Sequence, residues 1–90
     1  MTEINDPEIL KLRGQLNQID NQLLHLLEAR FENVKEIGEI KKQKGLPIRD
    51  KEREEEVIKT KCGKTSLDDG FVGRFFRFLI DESVKLEGGK

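Results

Sequence analysis

Residues Asp6 to Lys44 carry the strongest structural signal in the sequence and read DPEILKLRGQLNQIDNQLLHLLEARFENVKEIGEIKKQK. Two sets of positions with a seven-residue repeat run along it: Ile9, Leu16, Leu23, Arg30 and Ile37, and Leu12, Ile19, Leu26, Asn33 and Ile40. All but two of these positions are apolar, and this repeat predicts a long helix with one apolar stripe. The exceptions are Arg30 and Asn33. Because a guanidinium cannot lose its proton to escape burial, we expect an anionic group to meet Arg30.

Local signals predict where this first helix begins and ends. Asp6 is a suitable N-cap residue, and Pro7 fits the first helical position. Gly45 fits the C-terminal cap, so the helix is predicted over about residues 7–43. A helix of about 37 residues is roughly 55 Å long, which is too long for the remaining half of the chain to cover. We therefore expect a second copy of the chain to pair with it as an intertwined homodimer.

Two further helices are predicted downstream. Asp50 is a suitable N-cap for a helix over about residues 51–62. Ser66 and Asp69 are spaced as a capping box, which predicts a third helix over about 67–87. Its apolar face holds Phe71, Val72, Phe75, Phe76, Leu79 and Ile80. The predicted fold is all-α, with one long, one short and one medium helix in a single domain that takes in all 90 residues.

The composition argues against several classes of function. The chain has 17 Lys and Arg against 18 Asp and Glu, so no strong positive field attracts nucleic acid. The single Cys62 and the single His25 offer neither an internal disulfide nor the usual spacing of metal ligands. No apolar run approaches the length of a membrane span. We expect a cytoplasmic protein without metal, nucleic-acid or membrane partners.

Cationic residues on the first helix predict a site for a small dianion. Arg30 and Lys41 are eleven residues apart, about three helical turns, so both project from one face. Arg13 is seventeen residues before Arg30, roughly 25 Å along the helix, and too far away to contact the same small molecule. If an antiparallel partner crosses near Asn21 and Gln22, Arg13 of one chain lies opposite Arg30 of the other. The site would then be shared by two chains.

Polar residues of the other helices are further candidates for this site. Arg53 and Glu54 lie in the first turn of the second helix, and Ser83 and Glu87 lie one turn apart near the C-terminus. Such groups can converge only in the folded protein. The alternative for most of these residues, taken singly, is an ordinary solvated helix face.

Two glycines lie inside the first helix, at a cost of about 1 kcal/mol each relative to alanine. One interpretation of Gly14 and Gly38 is the close approach of another backbone or a ligand. The other is that the helix simply tolerates them.

Short motifs, each different from the others, lie at defined spacing along nearly the whole chain. They are Leu12-Arg13, Ile19-Asp20, Leu23-Leu24, Leu26-Leu27, Arg30, Lys41, Pro47-Ile48-Arg49-Asp50, Arg53-Glu54 and Ile80-Asp81-Glu82-Ser83-Val84. Together they resemble the all-helical chorismate mutases, and their joint spacing is far more specific than any one motif. The resemblance implies an intertwined homodimer with two equivalent sites and no cofactor. Each site would combine Arg13 of one chain with Arg30, Lys41, Asp50, Arg53, Glu54, Ser83 and Glu87 of the other.

The reaction that the resemblance implies is the Claisen rearrangement of chorismate to prephenate, a unimolecular step without a covalent intermediate. Such an enzyme holds the enolpyruvyl arm over the ring and stabilises charge as the ether bond breaks. By resemblance, three arginines clamp the two carboxylates of the substrate, namely Arg13, Arg30 and Arg53. Lys41 would donate to the ether oxygen, and Glu54 with the backbone near Asp50 would take the ring hydroxyl.

Glu87 departs from the commoner family pattern, in which a glutamine often donates a second hydrogen bond to the ether oxygen. A carboxylate cannot donate, so our hypothesis is that Glu87 acts in its protonated form. Burial would favour that form, and the neighbouring charge of Lys41 would oppose it. Arg30, Lys41 and Glu87 are the predicted catalytic residues.

Two other functions stay open beside an isomerase of phenylalanine and tyrosine biosynthesis. A lyase of the same fold removes pyruvate from isochorismate, but those relatives tend to lack the carboxylate that matches Glu54. The other is a non-catalytic helical dimerisation or regulatory module, which has no need of the retained cations.

Overall fold

Three helices make up the computed structural model, which describes residues 6–88 of the chain. They are α1 (Pro7–Lys44), α2 (Lys51–Lys61) and α3 (Asp69–Leu86), and the described residues contain no strand. The predicted all-α class and the order of one long, one short and one medium helix are confirmed. The domain predicted over 1–90 also takes in residues 1–5 and 89–90, which lie outside the described part.

The caps of α1 are those that the sequence predicts. One carboxylate oxygen of Asp6 accepts from the backbone N–H groups of Glu8, at 2.9 Å, and Ile9, at 3.3 Å. At the other end, Gly45 has a φ of +66°, a left-handed conformation that glycine adopts without strain. The N–H of Leu46 then returns to the carbonyl of Lys41 at 2.8 Å, which closes the last turn.

The caps of the two shorter helices are partly those expected. Asp50 caps α2, since its side chain accepts from the backbone N–H of Arg53 at 3.1 Å. The predicted capping box of Ser66 and Asp69 is wrong, because Asp68 caps α3 by accepting from the N–H of Phe71 at 2.9 Å. The carboxylate of Asp69 instead accepts from the N–H of Gly63 at 2.9 Å, which ties the start of α3 to the end of α2.

The chain divides into two compact units at Arg30. The described part of the first unit is the N-terminal portion of α1. Seven of its large apolar residues are 44% to 68% exposed: Leu10, Leu12, Leu16, Ile19, Leu23, Leu24 and Leu26. The second unit holds the rest of α1 with α2 and α3. Its buried core consists of Val34, Val72, Leu79, Ile80 and Val84.

Gly38 lets the end of α3 approach α1 closely within the second unit. A Cβ atom at this buried position would lie 2.9 Å from Cα of Glu87 and 3.3 Å from its carbonyl oxygen. Of the two interpretations of the helical glycines, close approach of another backbone is therefore the one that applies at Gly38. At Gly14, in the first unit, a Cβ atom meets nothing within 4 Å in this chain. The glycine at position 38 thus brings Glu87 against α1.

Within residues 6–88, none of the helices has the length and the apolar character that crossing a membrane requires.

Candidate active site

A part-buried ion pair joins the last turns of α1 and the end of α3. Lys41 Nζ donates to Oε1 of Glu87 at 2.6 Å, and the two side chains are 21% and 10% exposed. Lys41 also donates to the backbone carbonyl of Ile48, in the connection that follows α1. Two of the three N–H bonds of the ammonium thus have partners in the described chain, and the third is available to an oxygen of a ligand.

This pair lines a cavity of about 670 Å³ in the second unit. The lining residues come from the end of α1, the connection and the end of α3: Lys35, Gly38, Glu39, Lys41, Lys42, Gly45, Leu46, Ile48, Leu86, Glu87 and Gly88. A volume of this size is typical of pockets for small metabolites. Three lysines against two glutamates make the lining suitable for an anionic ligand.

Glu54 is the buried carboxylate of α2, and it is only 8% exposed. Nε of Arg49 donates to its Oε2 at 2.9 Å, while Nη2 of Arg49 and Nη1 of Arg77 donate to its Oε1 at 3.1 Å and 2.9 Å. The hydrogen bonds from Arg49 lower the pKa of Glu54, burial opposes this, and Arg77 adds to the lowering. In return, hydrogen bonds to Glu54 and then Asp81 raise the pKa of Arg49.

The remaining predicted residues of the second unit make mainly local contacts. The hydroxyl of Ser83, which is buried, donates to the carbonyl of Leu79 at 2.7 Å. Nη1 of Arg53 donates to Glu56 at 2.7 Å on the surface, where the Arg53 side chain is 66% exposed. The carboxylate of Asp50 serves as the cap of α2. Glu56 uses one of the five N–H donors of the Arg53 guanidinium in this contact.

The other two predicted cations lie in the first unit. Arg13 is exposed, whereas Arg30 is half-buried. Burial lowers the pKa of Arg30 from its usual value, because the charged guanidinium loses hydration. The convergence of Arg13 with the other residues across two chains stays a prediction.

The structure brings Lys41 and Glu87 together, and it adds partners that the sequence did not suggest. Sequence spacing does not reveal the carbonyl of Ile48 or the contact of Arg49 with Glu54, because both depend on the path of the connection. The four-residue spacing of Arg77 and Asp81 on α3 could have suggested a pair, and their atoms lie 3.8 Å apart. Nothing in that spacing points to Glu54.

Within residues 6–88, no group of three or more His, Cys, Asp or Glu side chains is placed to hold a metal ion.

Comparison with known proteins relates most of the chain to one family. A family model described as chorismate mutase type II matches residues 12–88. The chorismate mutase of Methanocaldococcus jannaschii is 31% identical over 83 residues, which cover 89% of this chain and 84% of that protein. The solved structure of chorismate mutase form II from Thermus thermophilus has a TM-score of 0.83 at 30% identity, and covers 90% of this chain and 94% of its own.

A second kind of relative is much longer. The bifunctional chorismate mutase/prephenate dehydratase of Escherichia coli is 34% identical over 79 residues. The match takes in 84% of this chain but only 20% of that protein. The chain thus spans about a fifth of the bifunctional relative and most of the length of the Methanocaldococcus protein.

Proposed function

The chain belongs to the chorismate mutase type II family, and we propose that it catalyses the rearrangement of chorismate to prephenate. The Lys41–Glu87 pair is the observation that carries this proposal. It places a cationic donor and a carboxyl group side by side at a cavity for a small anion. At the breaking ether bond, the reaction requires hydrogen-bond donors that are held in position.

Lys41 acts on the ether oxygen of the substrate. As the C–O bond breaks, this oxygen gains negative charge, and the third N–H of the ammonium donates to it. The contacts with Glu87 and the carbonyl of Ile48 hold the ammonium in place before the substrate arrives, so little reorganisation is needed in the transition state.

Three arginines hold the substrate dianion. Arg30 and Arg53 of one chain and Arg13 of the second chain bind the two carboxylates, and the planar guanidinium suits bidentate pairing. Arg30 is already half-buried, so part of its desolvation precedes substrate binding. If Arg53 gives up its contact with Glu56 to bind the substrate, the cost is small, because the pair is exposed.

The ring hydroxyl is taken by Glu54 and the backbone near Asp50. Glu54 is ionised and therefore accepts a hydrogen bond from the hydroxyl group. Ser83, one turn before Glu87 on α3, completes the substrate-binding set. Together these contacts fix the ring while the arginines fix the enolpyruvyl arm, which converts binding energy into orientation.

A homodimer completes the site. The apolar side chains of residues 10–26 are largely exposed in the single chain, and a second copy packed antiparallel would cover them. The same pairing brings Arg13 of the second chain to the carboxylates of the substrate. A cytoplasmic location, expected from the composition, belongs to the same proposal.

One assay tests the proposed function. Purified protein is mixed with chorismate, the loss of chorismate absorbance is followed, and the product is converted by acid to phenylpyruvate. We expect prephenate from the wild type and a fall of about 10²- to 10³-fold in kcat for K41M, which lacks the donor to the ether oxygen. A parallel reaction contains isochorismate instead of chorismate, and salicylate with pyruvate from that substrate would identify a lyase. The absence of any product from either substrate would indicate a non-catalytic module.

A further inference from the structure

Glu54 is held by two arginines from two other segments of the chain. Both lone-pair sites of its Oε1 accept hydrogen bonds, one from Arg49 and one from Arg77. One site of Oε2 accepts from Nε of Arg49. An ionised carboxylate has about four such sites, so one remains on Oε2.

The two arginines are themselves anchored. Nη2 of Arg49 donates to Oδ1 of Asp81 at 2.7 Å, and Nη1 of Arg77 lies 3.8 Å from the same oxygen. Nη2 of Arg77 also donates to Glu55 at 3.3 Å. This charged cluster of five residues links the connection after α1, the first turns of α2 and the middle of α3. The orientation of the Glu54 carboxylate is therefore set from three segments at once.

We propose that Arg49 and Arg77 are positioning residues, which orient Glu54 so that its remaining lone pair on Oε2 accepts the ring hydroxyl of the substrate. This inference rests on the proposed function, in which Glu54 binds that hydroxyl. Neither arginine has to touch the substrate. A carboxylate that is fixed as an acceptor favours a hydroxyl donor at this position of the ligand over a keto or ether oxygen, which cannot donate.

The same contacts decide over which pH range Glu54 remains an acceptor. Arg49 and Arg77 lower the pKa of Glu54, and burial opposes them. The other charged groups of the cluster are acidic, namely Asp81 on α3 and Glu55 on α2. When one arginine is removed, less positive charge remains near Glu54 to oppose the effects of burial and of the two acids on its pKa. The pKa of Glu54 then rises, and activity is lost at a higher pH than in the wild type.

The test compares kcat/KM for chorismate across the acid range in the wild type, R77Q, R77K and R74Q. Arg74 is an exposed arginine of the same helix and provides the matched control. We expect R77Q to move the acid limb of the profile upward by about one pH unit. R77K keeps the charge and should move it less, and R74Q should follow the wild type. R49Q should move the acid limb further than R77Q does, because Arg49 makes two of the three hydrogen bonds to Glu54. R49Q also provides the test if R77Q does not fold.

Other results would overturn the inference. If R77Q and R49Q lose the same factor at every pH, or keep the wild-type acid limb, the arginines merely stabilise the fold. If neither the wild type nor R74Q forms prephenate, the proposed function fails and the positioning role fails with it. An active wild type with unshifted variants overturns the positioning role alone.

Discussion

At the scale of single residues, the chemistry of the site depends on two carboxylates in different surroundings. Glu87 has one cationic partner, Lys41, and lies at the cavity. Glu54 has two cationic partners and lies in the charged cluster. The first is proposed to donate a hydrogen bond in its protonated form, and the second to accept one as a carboxylate. A cationic partner favours the ionised form of a carboxyl group, which suits the task of Glu54 and opposes the task proposed for Glu87.

The hypothesis for Glu87 predicts a pH dependence that glutamine abolishes. If Glu87 donates to the ether oxygen as a carboxylic acid, kcat/KM of the wild type falls as rising pH removes its proton. E87Q carries a permanent donor and should keep its activity at high pH. The measurement is the pH profile of both proteins with chorismate. Identical falls with rising pH in the two proteins would contradict the hypothesis.

The pKa of Glu54 predicts a pH-dependent contribution to stability. Because its pKa is lowered in the folded state from a usual value of 4.5, its contribution is complete well above that value and is lost as pH falls through the folded-state pKa. We expect E54Q to be less stable than the wild type by about 1–3 kcal/mol at neutral pH. The difference should shrink below about pH 4.5.

Urea unfolding at neutral and acid pH, at one protein concentration, measures this difference in the free energy of unfolding. E55Q serves as the control, because Glu55 is exposed and makes one weaker contact with Arg77. A difference that does not change with pH would mean that altered packing, rather than charge, destabilises E54Q.

At the scale of helices, the approach of α3 to α1 depends on the glycine at position 38. The approach brings Glu87 to Lys41 from a position 46 residues further along the chain. Each helix end is capped by residues within or next to that helix. The placement of α3 against α1, however, requires that α1 present no side chain at position 38. Packing between helices therefore places the ion pair.

Alanine at the two glycines of α1 should have opposite effects. In G38A, the new methyl group would lie 2.9 Å from Cα of Glu87, so we expect a loss of about 1–3 kcal/mol in stability and a lower kcat as Glu87 moves away from Lys41. In G14A, the methyl group meets nothing within 4 Å in the chain, and the helix should gain about 0.5–1 kcal/mol.

Thermal unfolding and prephenate formation measure both variants. Full activity and stability in G38A would show that the close approach at position 38 does not matter. If G14A instead weakens association of the two chains, Gly14 lies in their interface.

At the scale of the whole molecule, a site shared between chains can be tested by mixing. R13A and R30A should each be inactive, yet R30A should retain helicity and dimerisation because Arg30 serves the ligand. Re-equilibrated in equal amounts, they should form heterodimers in which one site has both arginines. Random pairing gives heterodimers in half of the dimers, so we expect about a quarter of the wild-type activity.

Prephenate formation after mixing, compared with each variant alone, is the measurement. No recovery in mixtures that demonstrably exchange chains would contradict a shared site. Activity in R30A alone would contradict the assignment of Arg30 to the substrate carboxylates.

The three helices and most of their ends could be predicted from the amino-acid sequence, because caps and apolar periodicity act within a few residues. Asp6, Gly45 and Asp50 illustrate this. The sequence also indicated the family, because the spacing of the motifs can be read directly from it. The cap of α3 was mispredicted because the carboxylate of Asp69 binds Gly63, outside its own helix.

Which side chains meet depends on how the helices pack, and the sequence did not reveal it. Three features join residues from separate segments of the chain. They are the contact of Lys41 with Glu87, the close approach of Glu87 to Gly38, and the ion pairs of Arg49 and Arg77 with Glu54. Their spacing in sequence carries no helical period. The physical reason is that hydrogen bonds and ion pairs depend on distances of about 3 Å, which only the packing of the helices and the path of the connection can set.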